Sequence, residues 1–243
     1  MASPIHRRRI ILICDANSLS RPSIEKPLHH IKMTVLACHE HRSNTNGIRA
    51  AQRKGFFDWL AEQDADVVCI QETKAQEHQL VDPVFRPEGY HCFYNDGERK
   101  GYSGTALYAK RAPTAIETRV GWEPVDSEGR YLRADFDGFT VISLYVPSGS
   151  SNDAAQGRKD VFMDRFTPHM QALLEEDREF IICADWNTCH QNIDIKNWRS
   201  NQKNSGFMPH EREWLTDLYE NQGWVDVFRQ MTSEPDLYTW WSN

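Results

Sequence analysis

The chain has no apolar run near the twenty or so residues that a helix needs to cross a bilayer, so a membrane protein is not expected. No C-x-x-C pair occurs among the six cysteines, Cys14, Cys38, Cys69, Cys92, Cys183 and Cys189. Cys69 and Cys183 lie inside apolar runs, where a thiol acts as a small hydrophobe, and a reduced, cytoplasmic setting fits. A secretion signal is not expected either: Arg7-Arg8-Arg9 precedes Ile10 to Cys14, but that apolar part is too short and Asp15 follows at once. Positive charge is not in excess. The net charge is -7, which leans against a nucleic-acid binder because phosphate contacts come from Lys and Arg. Placement counts for more than the sum, since a metal enzyme carries acids at its centre and bases around its rim. No internal repeat or linker divides residues 44–243. At 243 residues and 40% hydrophobic, the chain is long enough for one large domain with a substantial core, or two small ones.

What is present is a pair of apolar runs that each deliver an acid. Glu179-Phe180-Ile181-Ile182-Cys183-Ala184 reads as a buried strand that releases Asp185 and Asn187 at its end. Residues two apart on an extended chain share a face, so this carboxylate and this amide can point at one spot. Asp66 to Gln71 repeats the design and delivers Glu72. Two acids on neighbouring strand ends suit a Mg²⁺ held by one or two carboxylates plus substrate phosphate; the plainer reading is that both acids start turns.

Residues 1–43 show no sustained period and scatter His6, His29, His30, His39 and His41 through polar sequence. They read as an atypical N-terminal extension without fixed structure, or as sequence read from a wrong start or frame, with Val35-Leu36-Ala37 as a strand remnant. Beyond Gly47, Ile48, Ala51, Gly55, Phe56, Trp59 and Leu60 mark one amphipathic helix, with Arg49, Arg53 and Lys54 off its stripe, either as a solvated face or as phosphate contacts. Strands are expected at Tyr90–Tyr94, Gly104–Ala109, Tyr131–Phe136 and Phe139–Val146, the last two joined by a hairpin at Asp137-Gly138. Ser148–Gly157 reads as a polar loop. Phe162, Phe166, Met170 and Leu174 then mark a helix that Pro168 should kink or shift. Residues 187–210 are too rich in Asn and Gln for a core and form a long loop. Pro209 starts a helix that Gly223 ends, and a strand is expected at Trp224–Phe228, with the Tyr238–Trp241 run closing the chain.

Taken in order, Asn44-Thr45-Asn46-Gly47-Ile48-Arg49, Gln71-Glu72-Thr73-Lys74, Ser103-Gly104-Thr105, Tyr145-Val146-Pro147, Asp185-Trp186-Asn187 and Ser205-Gly206-Phe207 before Glu211-Arg212 form a series. The series resembles the exonuclease III family of DNA repair nucleases, which include apurinic/apyrimidinic endonucleases, within the wider endonuclease/exonuclease/phosphatase group. The resemblance covers residues 44–243 and implies an α/β, four-layer sandwich of two mostly antiparallel β-sheets flanked by helices, with the site at the strand ends. It implies a metal-dependent phosphodiesterase that cuts double-stranded DNA at abasic sites and trims 3′ ends, working as a monomer with Mg²⁺ or Mn²⁺. By that resemblance Glu72 holds the metal, with Asn44, Asp185 and Asn187 supporting it. Asp185 orients or deprotonates the water, Asn187 bonds the phosphate, and Tyr145 stabilises developing charge. Lys74 keeps Glu72 ionised. Arg49 meets DNA, and Trp240 either walls the pocket for the base-less sugar or is an ordinary core aromatic.

The family pattern also includes a further Asp and a C-terminal Ser-Asp-His motif, which this sequence does not show before Asn243. The expectation is therefore a catalytic domain without its last strands. The competing reading is an impaired fragment with at most weak DNA binding. A relative acting on lipids, inositol phosphates or RNA tails is a third reading, opposed by Asn46-Gly47-Ile48-Arg49 and the Gln71 to Lys74 run.

Overall fold

The computed structural model describes residues 47–239 together with the backbone of two strands, 9–13 and 33–37. In chain order the elements are β1 (Arg9–Ile13), β2 (Met33–Ala37), α1 (Ile48–Arg53), α2 (Phe56–Gln63), β3 (Val67–Gln71), β4 (His91–Asn95), β5 (Thr105–Ala109) and β6 (Ala115–Glu117). They continue with β7 (Tyr131–Asp135), β8 (Phe139–Tyr145), α3 (Asp153–Glu175), β9 (Glu179–Asp185), α4 (Trp198–Asn201), α5 (Pro209–Thr216), β10 (Val225–Asp226) and α6 (Val227–Met231). Among the described residues no helix is long and apolar enough to cross a membrane.

Two sheets lie face to face. One has six strands in the order β10-β1-β9-β8-β7-β6, the other four in the order β2-β3-β5-β4. Strand directions are mixed: β9 lies parallel to both β1 and β8, and β2 parallel to β3, whereas β7–β8 and β3–β5 are antiparallel. Three apolar layers hold the sandwich. Val67, Cys69, Leu107, Phe136, Val141 and Cys183 fill the space between the sheets. Phe162, Phe166, Met170, Trp214 and Leu215 seat α3 and α5 on the larger sheet. Ile48, Phe57 and Leu60 seat α1 and α2 on the smaller one. The expected two-sheet sandwich between helical layers is the architecture observed.

Local chemistry explains most boundaries and most of five departures. Gly138 takes φ +85° in the β7–β8 hairpin, where Phe136 N–H donates to Phe139 O at 2.8 Å. The single expected first helix is two, because Gly55 turns left-handed at φ +84° and starts a new axis. The expected loop at 148–157 is helical from Asp153, where the Asn152 side chain accepts the Ala155 N–H at 2.9 Å and caps α3. Its first turns are mostly exposed and carry no apolar stripe to announce them. Pro168 lies inside α3 without ending it or delaying its start, because Phe162, Phe166, Met170 and Leu173 anchor the helix on both sides of it. The strand expected at Trp224–Phe228 shrinks to two residues, since Asp226 accepts the Arg229 N–H at 3.0 Å and caps α6. Residues 187–210, expected as one long loop, hold a 3₁₀ turn at Asn192–Asp194 and the short α4.

Candidate active site at the polar end of the sandwich

β3, β8 and β9 all point their C-terminal ends to the same edge of the sandwich. Their register across the gap between sheets is tied by Gln71, a buried amide that donates to Ser143 Oγ at 3.0 Å and Cys183 O at 3.1 Å. Ser143 Oγ donates in turn to Ile70 O at 3.3 Å. One residue past Gln71 the chain leaves the sheet and presents Glu72, which therefore stands over the ends of β8 and β9. Tyr145 and Asp185 are register partners on those two strands.

The Tyr145 hydroxyl donates to Glu72 Oε1 at 2.7 Å, and Lys74 Nζ lies 2.9 Å from the same oxygen. Arg130, almost fully buried, holds the tyrosine from behind. Its guanidinium sits 4.8 Å from the ring centroid and donates to Tyr145 O at 3.1 Å and Tyr102 Oη at 3.1 Å. Burial pushes the Tyr145 phenol well above its ordinary pKa, and the negative charges of Glu72 and Asp185 push it further against the opposing pull of Arg130. Tyr145 is thus a protonated donor throughout the physiological range.

Asp185 closes β9, and the turn after it is not extended. Asn187 takes φ +47°, its N–H donates to Asp185 Oδ1 at 2.9 Å, and its side-chain amide donates to Val146 O at 2.8 Å. Carboxylate and amide are joined through this hydrogen-bonded turn rather than by strand alternation. Behind it lies a buried ion pair absent from the sequence reading. Lys159 Nζ is 2.6 Å from Glu211 Oε1 and donates to Asn187 O at 2.6 Å, with both charged side chains fully buried. Burial lowers the Lys159 pKa, and Glu211 opposes the shift. His190 is also buried, shares a hydrogen bond with Thr216 Oγ1 at 2.8 Å and meets Tyr219 edge to face, which makes it part of the packing.

Left-handed residues other than glycine gather here: Glu72 (φ +59°), Lys74 (+47°), Ser103 (+53°) and Asn187 (+47°). Each such conformation costs about 1–3 kcal/mol and persists only where neighbours enforce it. Around Glu72 they do: Thr73 N–H donates to Gly104 O (3.1 Å), Lys74 N–H to Ser103 O (2.8 Å) and Ile48 N–H to Thr73 O (2.9 Å). Two glycines make this closeness possible. A Cβ on Gly47 would stand 2.7 Å from Thr73 O, and one on Gly104 would stand 2.2 Å from Thr73 Oγ1. Arg49 is exposed on the first turn of α1, next to this bracketed segment.

Of the residues singled out from sequence, Glu72, Lys74, Tyr145, Asp185 and Asn187 come together, with Arg49 at the edge. Asn44, Trp240 and the five early histidines lie outside the described residues. Arg130 and Lys159 are absent from the sequence reading, and Gln71 and Glu211 stand in it only as members of the motif series, without a role. Lys159 had one readable signal, since it continues the Phe162–Phe166–Met170 stripe of α3 and so occupies a core position. Among the described residues no group of three or more His, Cys, Asp or Glu side chains converges as metal ligands. The donor set still suits a hard cation of the magnesium type, which takes one or two carboxylates and completes its shell with water and phosphate oxygens.

The Endonuclease/Exonuclease/phosphatase family matches residues 43–243. An exodeoxyribonuclease of Bacillus subtilis is 40% identical over 205 residues, spanning 82% of this chain and 78% of that protein. The DNA repair nuclease APEX1 of Danio rerio is 36% identical over 202 residues, and the match spans 82% of this chain but 64% of the relative's length. Among solved structures, an AP endonuclease from Archaeoglobus fulgidus superposes with a TM-score of 0.71 at 26% identity, covering 83% of this chain and 74% of the other. A Neisseria 3′ phosphatase bound to a product DNA hairpin has a TM-score of 0.73 over 85% of this chain and 76% of its own, at 19% identity, a likeness of fold alone.

Proposed function

Because the chain belongs to the endonuclease/exonuclease/phosphatase family, in its exonuclease III branch, we propose that it is a metal-dependent DNA repair phosphodiesterase. It cuts double-stranded DNA beside abasic sites and trims 3′ ends. The observation that carries this reading is the convergence of Glu72, Tyr145, Asp185 and Asn187 from three strand ends on one polar edge.

Phosphodiester hydrolysis needs an activated water, neutralised phosphoryl oxygens and help for the leaving oxygen. Glu72, with Asp185 and Asn44 in support, is the carboxylate that would hold a divalent cation, Mg²⁺ or Mn²⁺. Such an ion supplies Lewis acidity and a water of lowered pKa. The residues supply the rest. Asp185, its one oxygen fixed by the Asn187 N–H, orients the attacking water and takes its proton. The Asn187 amide spends one N–H on Val146 O and has a second for a phosphate oxygen. Tyr145, kept protonated by burial, would turn its single O–H from Glu72 Oε1 to charge that develops on the phosphate. Lys74 and Arg49 lie on the rim where backbone phosphates would pass. Protein working as a monomer in the reduced cytoplasm is part of the same reading, supported by free thiols at Cys69 and Cys92.

The test is incision of a duplex oligonucleotide carrying one abasic site, with Mg²⁺ and with EDTA, by the parent chain and by its Glu72→Ala and Asp185→Ala variants. Metal-dependent cutting that drops about 10²–10⁴-fold in each variant is expected. No cutting by a parent chain shown to be folded overturns the proposal.

A further inference from the structure

A buried ion pair is an expensive way to fill a core, because an apolar pair of similar volume does as well or better. The pair Lys159–Glu211 therefore calls for a reason beyond packing, and its contacts supply one. Lys159 has no exposed surface, and its ammonium reaches two acceptors, Glu211 Oε1 at 2.6 Å and the main-chain oxygen of Asn187 at 2.6 Å. The other Glu211 oxygen accepts two main-chain donors, Gly206 N–H at 2.7 Å and Met208 N–H at 2.9 Å. Gly206 O then takes the Cys189 N–H at 2.8 Å, and a Cβ on Gly206 would stand 3.0 Å from Asn187 O. Gln156 completes the cluster by donating to Glu211 Oε1 at 3.1 Å. Beyond the Lys159–Glu211 and Gln156–Glu211 contacts, each of these bonds reaches the left-handed Asp185–Asn187 turn or the 205–208 segment that backs it. An apolar pair would fill the space but would leave the Asn187 carbonyl and two amides without partners.

We propose that Lys159 is a positioning residue: with Glu211 it locks the turn that aims Asp185 and Asn187, acting from inside the protein without touching substrate. The chain of contacts is continuous. Glu211 orients the ammonium and the ammonium fixes the direction of the Asn187 carbonyl. That sets the left-handed turn, and the turn holds the Asn187 N–H on Asp185 Oδ1. Without the ammonium the 187–188 peptide is free to rotate, and carboxylate and amide lose their shared aim. Misplacement of about 1 Å at a reacting centre costs about 10²-fold in rate.

The kinetic arm of the test rests on the phosphodiesterase reading; the exchange arm stands without it. Lys159→Met alone strands a buried carboxylate and lowers stability, so the informative variant is Lys159→Met/Glu211→Gln in the full chain. It removes both charges while keeping an acceptor for the Gly206 and Met208 amides. On the abasic duplex we expect a melting temperature near that of the parent, kcat down about 10²-fold and KM within about threefold. Adding Asn187→Ala to that variant should cost little more, because residues acting as one unit are not additive. By hydrogen exchange, the Asn187 and Cys189 amides should exchange at least about tenfold faster, while the Ile181 and Ile182 amides of β9 keep their protection. A neutral pair that keeps the parent's kcat with its stability overturns the proposal and leaves the ion pair a packing element. If the parent does not cut, the phosphodiesterase reading has failed and exchange alone decides. Unchanged protection at Asn187 and Cys189 then overturns the positioning role, and selective loss there supports it.

Discussion

Where β3, β8 and β9 begin, the space between the two sheets holds Val67, Ala109, Phe136, Phe139 and Val141, all buried and apolar. Where the same strands end, it holds Gln71, Thr105, Ser143, Tyr145 and Arg130, equally buried and joined by hydrogen bonds that cross from sheet to sheet. The first end gains its stability from removing hydrocarbon from water, at about 25 cal/mol per Å². The second gains little net energy from its hydrogen bonds, about 0.5–1.5 kcal/mol each, and carries strained residues besides. One end of the sandwich holds the fold so that the other can hold a geometry it would not adopt alone. Stability and chemistry are thereby separated along a single pair of sheets, and substitutions should separate the same way.

The largest effect is expected at the apolar end. Phe139→Ala should lower stability by about 3–5 kcal/mol in chemical denaturation. The incision rate of the folded protein should not change; a lower rate in folded molecules would break the contrast. Next comes Tyr145→Phe at the polar end, where loss of one preorganised donor should slow single-turnover incision about 10²–10³-fold. Thermal melting should move far less, and a large melting shift would mean that the tyrosine is a core residue first. A pH titration sharpens the comparison. Burial lowers the His190 pKa below its usual 6.5, so the folded chain refuses a proton that the unfolded chain accepts. Stability should be full above about pH 6.5, fall as pH drops below it, and keep falling until the folded-state pKa is passed. His190→Gln should flatten part of that decline in denaturation curves, leaving the share of His169, whose pKa is also lowered by burial. The smallest effect is relief of strain: Lys74→Gly suits φ +47° and should raise stability by about 1 kcal/mol while cutting slows. A drop in melting temperature would show that the Lys74–Glu72 contact outweighs the strain.

The legible parts of this molecule were those written in local periodicity. The apolar runs before Glu72 and Asp185, the Asp137-Gly138 hairpin, and the helix from Pro209 to the turn at Gly223 all announced themselves, and so did the acids at the ends of β3 and β9. What stayed hidden was set by partners far away in sequence. Gln71 looks like any strand glutamine until Ser143 and Cys183, 72 and 112 residues on, are brought to it. Lys159 is an ordinary charge on a polar stretch unless its place on the stripe of α3 is noticed, and Glu211 reads as a helix-start acid. Nothing in a Glu or a Lys foretells φ above zero at Glu72 and Lys74, because that conformation is imposed by Gly104, Ser103 and Ile48 from outside. The early start of α3 was missed for the opposite reason: a single capping residue, Asn152, sets it, and its first turns are mostly exposed.

The Gln71 bridge has a bearing on how the molecule comes into being. Its two bonds, and the Tyr145–Glu72 bond beside them, close loops of 72, 112 and 73 residues. Contacts of such separation are among the last to form, since the chain must lose the entropy of a long loop before any of them contributes. A nascent or partly folded chain can carry native helices and hairpins while Glu72, Tyr145 and Asp185 remain apart. Assembly of Glu72, Tyr145 and Asp185 into one site thereby requires the finished fold.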